Sequence, residues 1–228
     1  MKTDRLRVAG AALRGAHRWS WFGLAVVWIG YGLAAQAADR YWVSPSNSVW
    51  SLDAHWSENS GGSGGAGAPE AGDSVFFNTG GQGDCLVDAG DELDLASFSV
   101  SGCTGHVNVA YASPDVNVTG TVTLASGAYG KVSLGSGVWT VGGSFLYSGM
   151  GAGGRVLAAT DSTVVMTGSN VTLTATWYHG LGTLRIAPGA FVSHTGDGGN
   201  RIIPYKPLEV YGALKHGMIE ARGGVYVH

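Results

Sequence analysis

Charged side chains are scarce in this sequence. Asp, Glu, Lys and Arg together make up 13% of 228 residues, while 45% are hydrophobic. A chain that stays disordered shows the reverse, high charge with few apolar residues, so an unfolded protein is excluded. There is no basic excess either: the net charge is −3, and nothing electrostatic favours a nucleic-acid partner. Helical periodicity is missing after residue 40. The 39 glycines show no every-third-residue period, which removes collagen. The fixed Leu and Asn pattern of leucine-rich repeats is also absent.

What remains is rich in Val, Thr, Ser, Tyr and Trp between glycines, the composition of short strands and tight turns. The first 38 residues stand apart. Lys2, Arg5, Arg7, Arg14 and Arg18 precede an apolar run from Trp21 to Ala35, which ends in Ala35-Gln36-Ala37. That order of a positive segment, an apolar segment and small residues at a cut predicts a secretory signal peptide over 1–38, on the general secretory route, cleaved near Ala37 or Ala38. The alternative is an uncleaved anchor, but a run of about 15 residues is short of the ~20 that span a bilayer. Without residues 1–38 the chain keeps eight basic and fifteen acidic side chains, a net charge of −7. The expected location is secreted or cell-surface, with no membrane span after cleavage. In an oxidising compartment Cys85 and Cys103 are expected to pair, closing a loop worth about 3 kcal/mol in the chain-entropy model.

From Leu95 onward one phrase recurs. Val116-x-Val118-x-Gly120 returns as Trp139-x-Val141-x-Gly143 and Val164-x-Met166-x-Gly168, then in stretched form at Leu184-x-Ile186 with Gly189, and as Leu208-x-Val210-x-Gly212. The glycines are 23, 25, 21 and 23 residues apart, and each is followed by a second short strand phrase. A period of this length predicts one coil of a right-handed parallel β-helix (β-solenoid) per repeat, with alternate side chains pointing inward. Glycine is expected at the turns for its φ freedom. An antiparallel β-sandwich is the alternative. The organisation read from the sequence is a capping module over 39–94, containing a Gly/Ser-rich loop at 60–67, and a solenoid over 95–228 of roughly six coils. Trp42, Trp50 and Trp56 are expected to plug the first coil. The strand phrase Gly224-Val225-Tyr226-Val227-His228 is read as an unfinished coil whose open edge continues into further repeats or self-associates.

The opening residues Tyr41-Trp42-Val43, Trp50, Trp56-Ser57, the Gly-rich stretch, Pro69 and Asp73-x-Val75-Phe76-Phe77 carry a resemblance. They resemble the N-terminal portion of secreted bacterial β-solenoid repeat proteins, akin to autotransporter-associated β-strand repeat and pectate-lyase-like β-helix surface proteins. The resemblance covers residues 41 to about 127 by motif. It implies an exported location and a solenoid architecture, and no catalytic residue belongs to the pattern.

Function is expected to be structural: an exported adhesin-like scaffold or stalk, meeting polysaccharide or other cell-surface components. The alternative is a carbohydrate-active β-helix, a polysaccharide lyase or glycosidase, or its binding portion. Trp139, Trp177 and Tyr178 are the candidate sugar-contact side chains. The acidic cluster Asp84, Asp88, Asp91, Glu92 and Asp94 offers oxygen ligands for calcium, the one cofactor the sequence suggests, although it carries no EF-hand or nonapeptide Gly-Asp pattern. Acids within the coils are isolated, so no catalytic pair is assigned. His194 and His216, 22 residues apart, are read as stacked ring packing in the Leu124 and Tyr147 column, because a two-His metal site would be incomplete.

Overall fold

The structure, a computed structural model, describes residues 37–125, 131–147, 155–157, 159–175, 178–195, 201–215 and 219–228. The signal segment expected over 1–38 lies almost wholly outside the described residues. So do Trp177 and His216.

The chain is an all-β solenoid. Strands of successive coils pair in parallel and build a nine-stranded, a seven-stranded and a five-stranded sheet, with a further two-stranded pair. One coil shows the path: Val122–Ala125 belongs to the nine-stranded sheet, Lys131–Ser133 to the five-stranded and Val138–Val141 to the seven-stranded. Each then pairs with the equivalent strand of the coils on either side, as in Trp139↔Val116 and Trp139↔Val164. The antiparallel sandwich is thereby excluded. The one antiparallel pairing among the described residues joins Asp39–Trp42 to Trp56–Ser57. Parallel coiling begins ahead of Leu95, since Ser74–Phe77, Cys85–Leu86 and Glu92–Leu95 already pair with the next coil.

Alternation dictates the core. The inward residues of the seven-stranded sheet run Leu93, Val116, Trp139, Val164, Leu184 and Leu208, each in register with the next and buried. At the N-terminal end Trp42, Trp50 and Trp56 are buried around Phe77, with Trp56 meeting Trp50 and Trp42 edge-on at 4.8 and 5.2 Å. Their indoles are satisfied by carbonyls: Trp42 Nε1 donates to Gly83 O at 3.0 Å and Trp56 Nε1 to Trp50 O at 2.6 Å. This is the expected plug. The reversed strand Trp56–Ser57 closes the edge that a first parallel coil would leave open.

The glycine phrases stack as expected, but for a different reason. Gly120, Gly143, Gly168 and Gly212 do not have positive φ; among the repeat glycines only Gly189 does, at 77°. What excludes a side chain is the coil below. A Cβ on Gly120 would lie 2.5 Å from Ala96 O, and one on Gly143 would strike the backbone of Gly120. One coil also breaks register. Its strand Ser169–Ala175 carries an irregularity between Ser169 and Val171, with Asn170 at φ 60°, where two residues face a single step of the next coil. Phe145 also pairs with Leu173, a longer step than any between the repeat glycines, so that His194 sits over Leu173 and Phe145, not over Leu124 and Tyr147 as the glycine spacing predicts.

At the C-terminal end the interior is open. A cavity of about 510 Å³ is lined by Leu208, Val210, Leu214, Ile219, Val225 and Val227. The last strand, Val225–Val227, pairs on one side with Leu208–Val210, and Val227 is 77% exposed.

Candidate functional site

Side chains that point inward fill the core, so any site must be built from the outward set. On the nine-stranded sheet the two outward columns are mostly hydroxyl-bearing. One runs Ser74, Ser97, Thr121, Ser144, Thr172, Ser193. The other continues from Phe76 through Ser99, Thr123, Leu146, Thr174 and Thr195. Strand register puts neighbours in a column about 4.8 Å apart.

Where this sheet meets the seven-stranded one, the glycine turns leave a trough of about 320 Å³. It is lined by Asn117, Val118, Thr119, Thr140, Gly142 and Thr167, which come from three successive coils. Its floor is shallow for want of a side chain: a Cβ at Gly142 would lie 2.6 Å from Thr119 O. Two wall hydroxyls are held in place by the coil below. Thr119 Oγ1 donates to Leu95 O at 3.5 Å and Thr167 Oγ1 to Val141 O at 3.2 Å. These bonds fix the Thr119 and Thr167 hydroxyl oxygens beside the trough. At its N-terminal mouth Asn117 Nδ2 donates to Glu92 Oε1 at 2.5 Å and to Asp94 Oδ1 at 3.0 Å. Asp115, exposed in the same strand as Asn117, accepts the Val138 amide at 2.7 Å.

The calcium candidates do not converge. Asp84 accepts the His106 amide at 2.8 Å and Asp88 binds the Ser51 amide and hydroxyl at 2.9 and 2.6 Å. Asp94 is committed to Asn117, and Asp91 lends its carbonyl to the Asp115 amide at 2.9 Å. Among the described residues no group of three His, Cys, Asp or Glu is placed to hold a metal ion.

The aromatic sugar-contact candidates fare unevenly. Trp139 points inward, fully buried, edge-on to Phe98 at 5.3 Å, with Nε1 donating to Leu134 O at 3.1 Å. Its position in the apolar-x-apolar phrase decides this, because that phrase marks the core face. It cannot touch a ligand. Tyr178 opens the strand Tyr178–Leu181, and Trp177 lies outside the described residues.

Cys85 and Cys103 are both buried free thiols, which overturns the expected disulfide. Each is packed as a small apolar side chain, and Cys103 Sγ rests 3.7 Å from Gly105 O. Burial pushes the Cys85 thiol well up and the Cys103 thiol to about 11.

One polar pair went unread in the sequence. His106 Nε2 lies 2.7 Å from Ser133 Oγ, on adjacent coils of the five-stranded sheet. Burial lowers the His106 pKa, Asp84 works against that, and Lys131 adds to it. Ser133 is 6% exposed, so the pair is a packed contact and not an open nucleophile. The trough was equally unread, although Thr119-Gly120-Thr121, Thr140-Val141-Gly142-Gly143-Ser144 and Thr167-Gly168-Ser169 spell it out as hydroxyl residues flanking each glycine turn.

Comparison with protein-family models finds no match, and neither a curated protein nor a solved structure is found to be similar to this chain.

Proposed function

We propose that this chain is an exported, cell-surface or extracellular structural protein, an adhesin-like scaffold of the kind its opening motif resembles. One observation carries the reading: from Ser74 to Ser193 one outward column of the nine-stranded sheet is Ser or Thr in six successive coils, and the column beside it is Ser or Thr at four of six positions, the others being Phe76 and Leu146. A repetitive neutral surface suits an extended partner better than a small molecule, which needs a concave pocket with a few convergent polar groups. Self-association through the open C-terminal edge belongs to the same reading. Export is tested by expressing the whole chain in a bacterial host and sequencing the N-terminus of the protein outside the cytoplasm. A mature start at Ala38 or Asp39 is expected. An intact chain retained in the cytoplasm would contradict the proposal.

The Thr-lined trough favours a second reading, a carbohydrate-binding solenoid. Threonine methyls offer contact to the apolar faces of sugar rings, and the pinned hydroxyls offer hydrogen bonds beside them. Screening the purified chain against neutral and acidic polysaccharides, with and without calcium, separates this from a purely structural role.

A further inference from the structure

Charge is divided unevenly along this chain. Between Arg40 and Lys131 there is no Lys or Arg at all, against ten Asp and Glu residues. From Lys131 to His228 the balance reverses, with seven basic residues against four acidic. The trough begins in the acidic part. Glu92, Asp94 and Asp115 are exposed at its N-terminal mouth, the first two touching the lining residue Asn117. Register brings Glu92 beside Asp115 and Asp94 beside Asn117 on neighbouring strands. Farther along this face Arg185 is paired to Glu209 at 2.6 Å, so it does not neutralise the mouth.

These facts select a ligand by charge. A polyanion is repelled from Glu92, Asp94 and Asp115, because Arg40, the basic residue nearest in sequence on their N-terminal side, is taken up by Asp73 and Glu58. A neutral glycan gains only the trough. A glycan carrying protonated amines gains the trough and the carboxylates together. A basic peptide is a poorer fit, because the strands beneath the trough are paired on both sides and offer no edge for a peptide backbone.

Building on the carbohydrate-binding reading above, we propose that the trough formed by Thr119, Thr140, Gly142 and Thr167 binds a linear amino-sugar glycan, its amines held by Glu92, Asp94 and Asp115. The lining spans three coils, about 10 Å of groove at ~4.8 Å per strand, enough for a short run of sugar rings lying along the solenoid.

The test is calorimetric titration of the full chain with four probes: a glucosamine hexamer in mildly acidic buffer, its N-acetylated counterpart, a galacturonic acid hexamer and oligolysine. The glucosamine hexamer is expected to bind best, with an affinity that falls as salt rises. Glu92→Gln with Asp94→Asn should weaken it about fivefold, the scale of two exposed ion pairs. Thr140→Leu, which fills the trough without adding charge, should abolish binding while leaving the melting temperature close to that of the unmodified chain. Thr140→Val, which keeps the shape, checks against misfolding and should retain most of the affinity. Equal binding of the N-acetylated hexamer, still lost in Thr140→Leu, would overturn the amine selection and leave the carbohydrate reading standing. Equal binding of oligolysine with no effect of Thr140→Leu would reduce the phenomenon to non-specific charge and overturn the proposal. Silence from all three sugars would defeat both readings.

Discussion

Gly143 sits on Gly120. Its amide donates to the Gly120 carbonyl at 2.9 Å, and the space a Cβ would need is occupied by Gly120 backbone. This contact sets how closely two coils stack at the turn between the sheets. Gly143→Ala should therefore destabilise the chain by about 1–3 kcal/mol, the cost of overpacking a filled site. Gly90 supplies the contrast, since a Cβ there meets nothing within 4 Å and its φ is not in the left-handed region. Gly90→Ala should be neutral or stabilise by up to about 1 kcal/mol. Urea denaturation of both variants measures the difference, and equal losses would show that coil spacing is not what the glycine protects.

The buried thiols make a second expectation. With Cys103 pushed up to about 11 by burial and Cys85 raised well above its ordinary value, both stay protonated near neutrality. At about pH 8 only about one Cys103 thiol in a thousand is ionised, and thiolate is the reactive form. Alkylation of the native chain followed by mass measurement should show no label, and the same reagent in denaturant should label two cysteines. The sign of the linkage is also fixed. A thiol raised on folding contributes stability that is fully present below its unfolded pKa of 9.0 and is lost as pH rises through about 11. Rapid native labelling would mean that the interior at this corner is open.

His106 acts at the other end of the pH scale. Its folded pKa is depressed, chiefly by burial, with Asp84 opposing the shift and Lys131 reinforcing it. The stability tied to the neutral ring is present above the unfolded value of 6.5 and is lost as pH falls through the lower folded value. The urea midpoint should fall between pH 7 and pH 5, and His106→Gln should flatten that fall. An unchanged slope in the variant would assign the acid sensitivity to other groups.

The open end gives the fourth. Val225 and Val227 are 57% and 77% exposed on a strand paired along one side only. Light scattering should show association of the 228-residue chain that rises with concentration, and Val225→Lys with Val227→Lys should abolish it, because charge on an edge strand blocks further pairing. A monomer unaffected by the substitutions would contradict self-association.

Much of the architecture was legible because it follows from a period. Val116-x-Val118-x-Gly120 and its successors fix which side chains face inward, and the structure stacks them in that order. Trp42, Trp50 and Trp56 read as a plug because three large aromatics outside the repeats have few other places to be buried. Less legible were features that depend on what lies one coil away. Whether Gly120 serves φ or close contact is invisible until Ala96 is seen beneath it. His194 stands over Leu173 because Leu173 pairs with Phe145 across a longer step than the glycine spacing and the next pairing is irregular at Asn170, neither of which the spacing locates. Trp139 is core and not a ligand contact, as its place in the apolar-x-apolar phrase marks it. Redox compartment and an even cysteine count do not specify how the Cys85 and Cys103 side chains pack. The trough escaped notice because threonine carries no chemical signature, so that only its repetition beside glycine gives it away.

Successive coils pair in parallel and in register, and one measurement tests that pairing directly. Thr123 and Leu146 face outward on neighbouring strands and are partners in register, whereas Thr121 and Leu146 are diagonal. A diagonal pair is about 7–8 Å apart, beyond disulfide reach. Under mild oxidation, Thr123→Cys with Leu146→Cys should close an intramolecular bond, and Thr121→Cys with Leu146→Cys should not, while buried Cys85 and Cys103 stay unreactive in both. Closure of the diagonal pair in place of the in-register one would contradict the stacking on which the solenoid, the trough and its proposed ligand all depend.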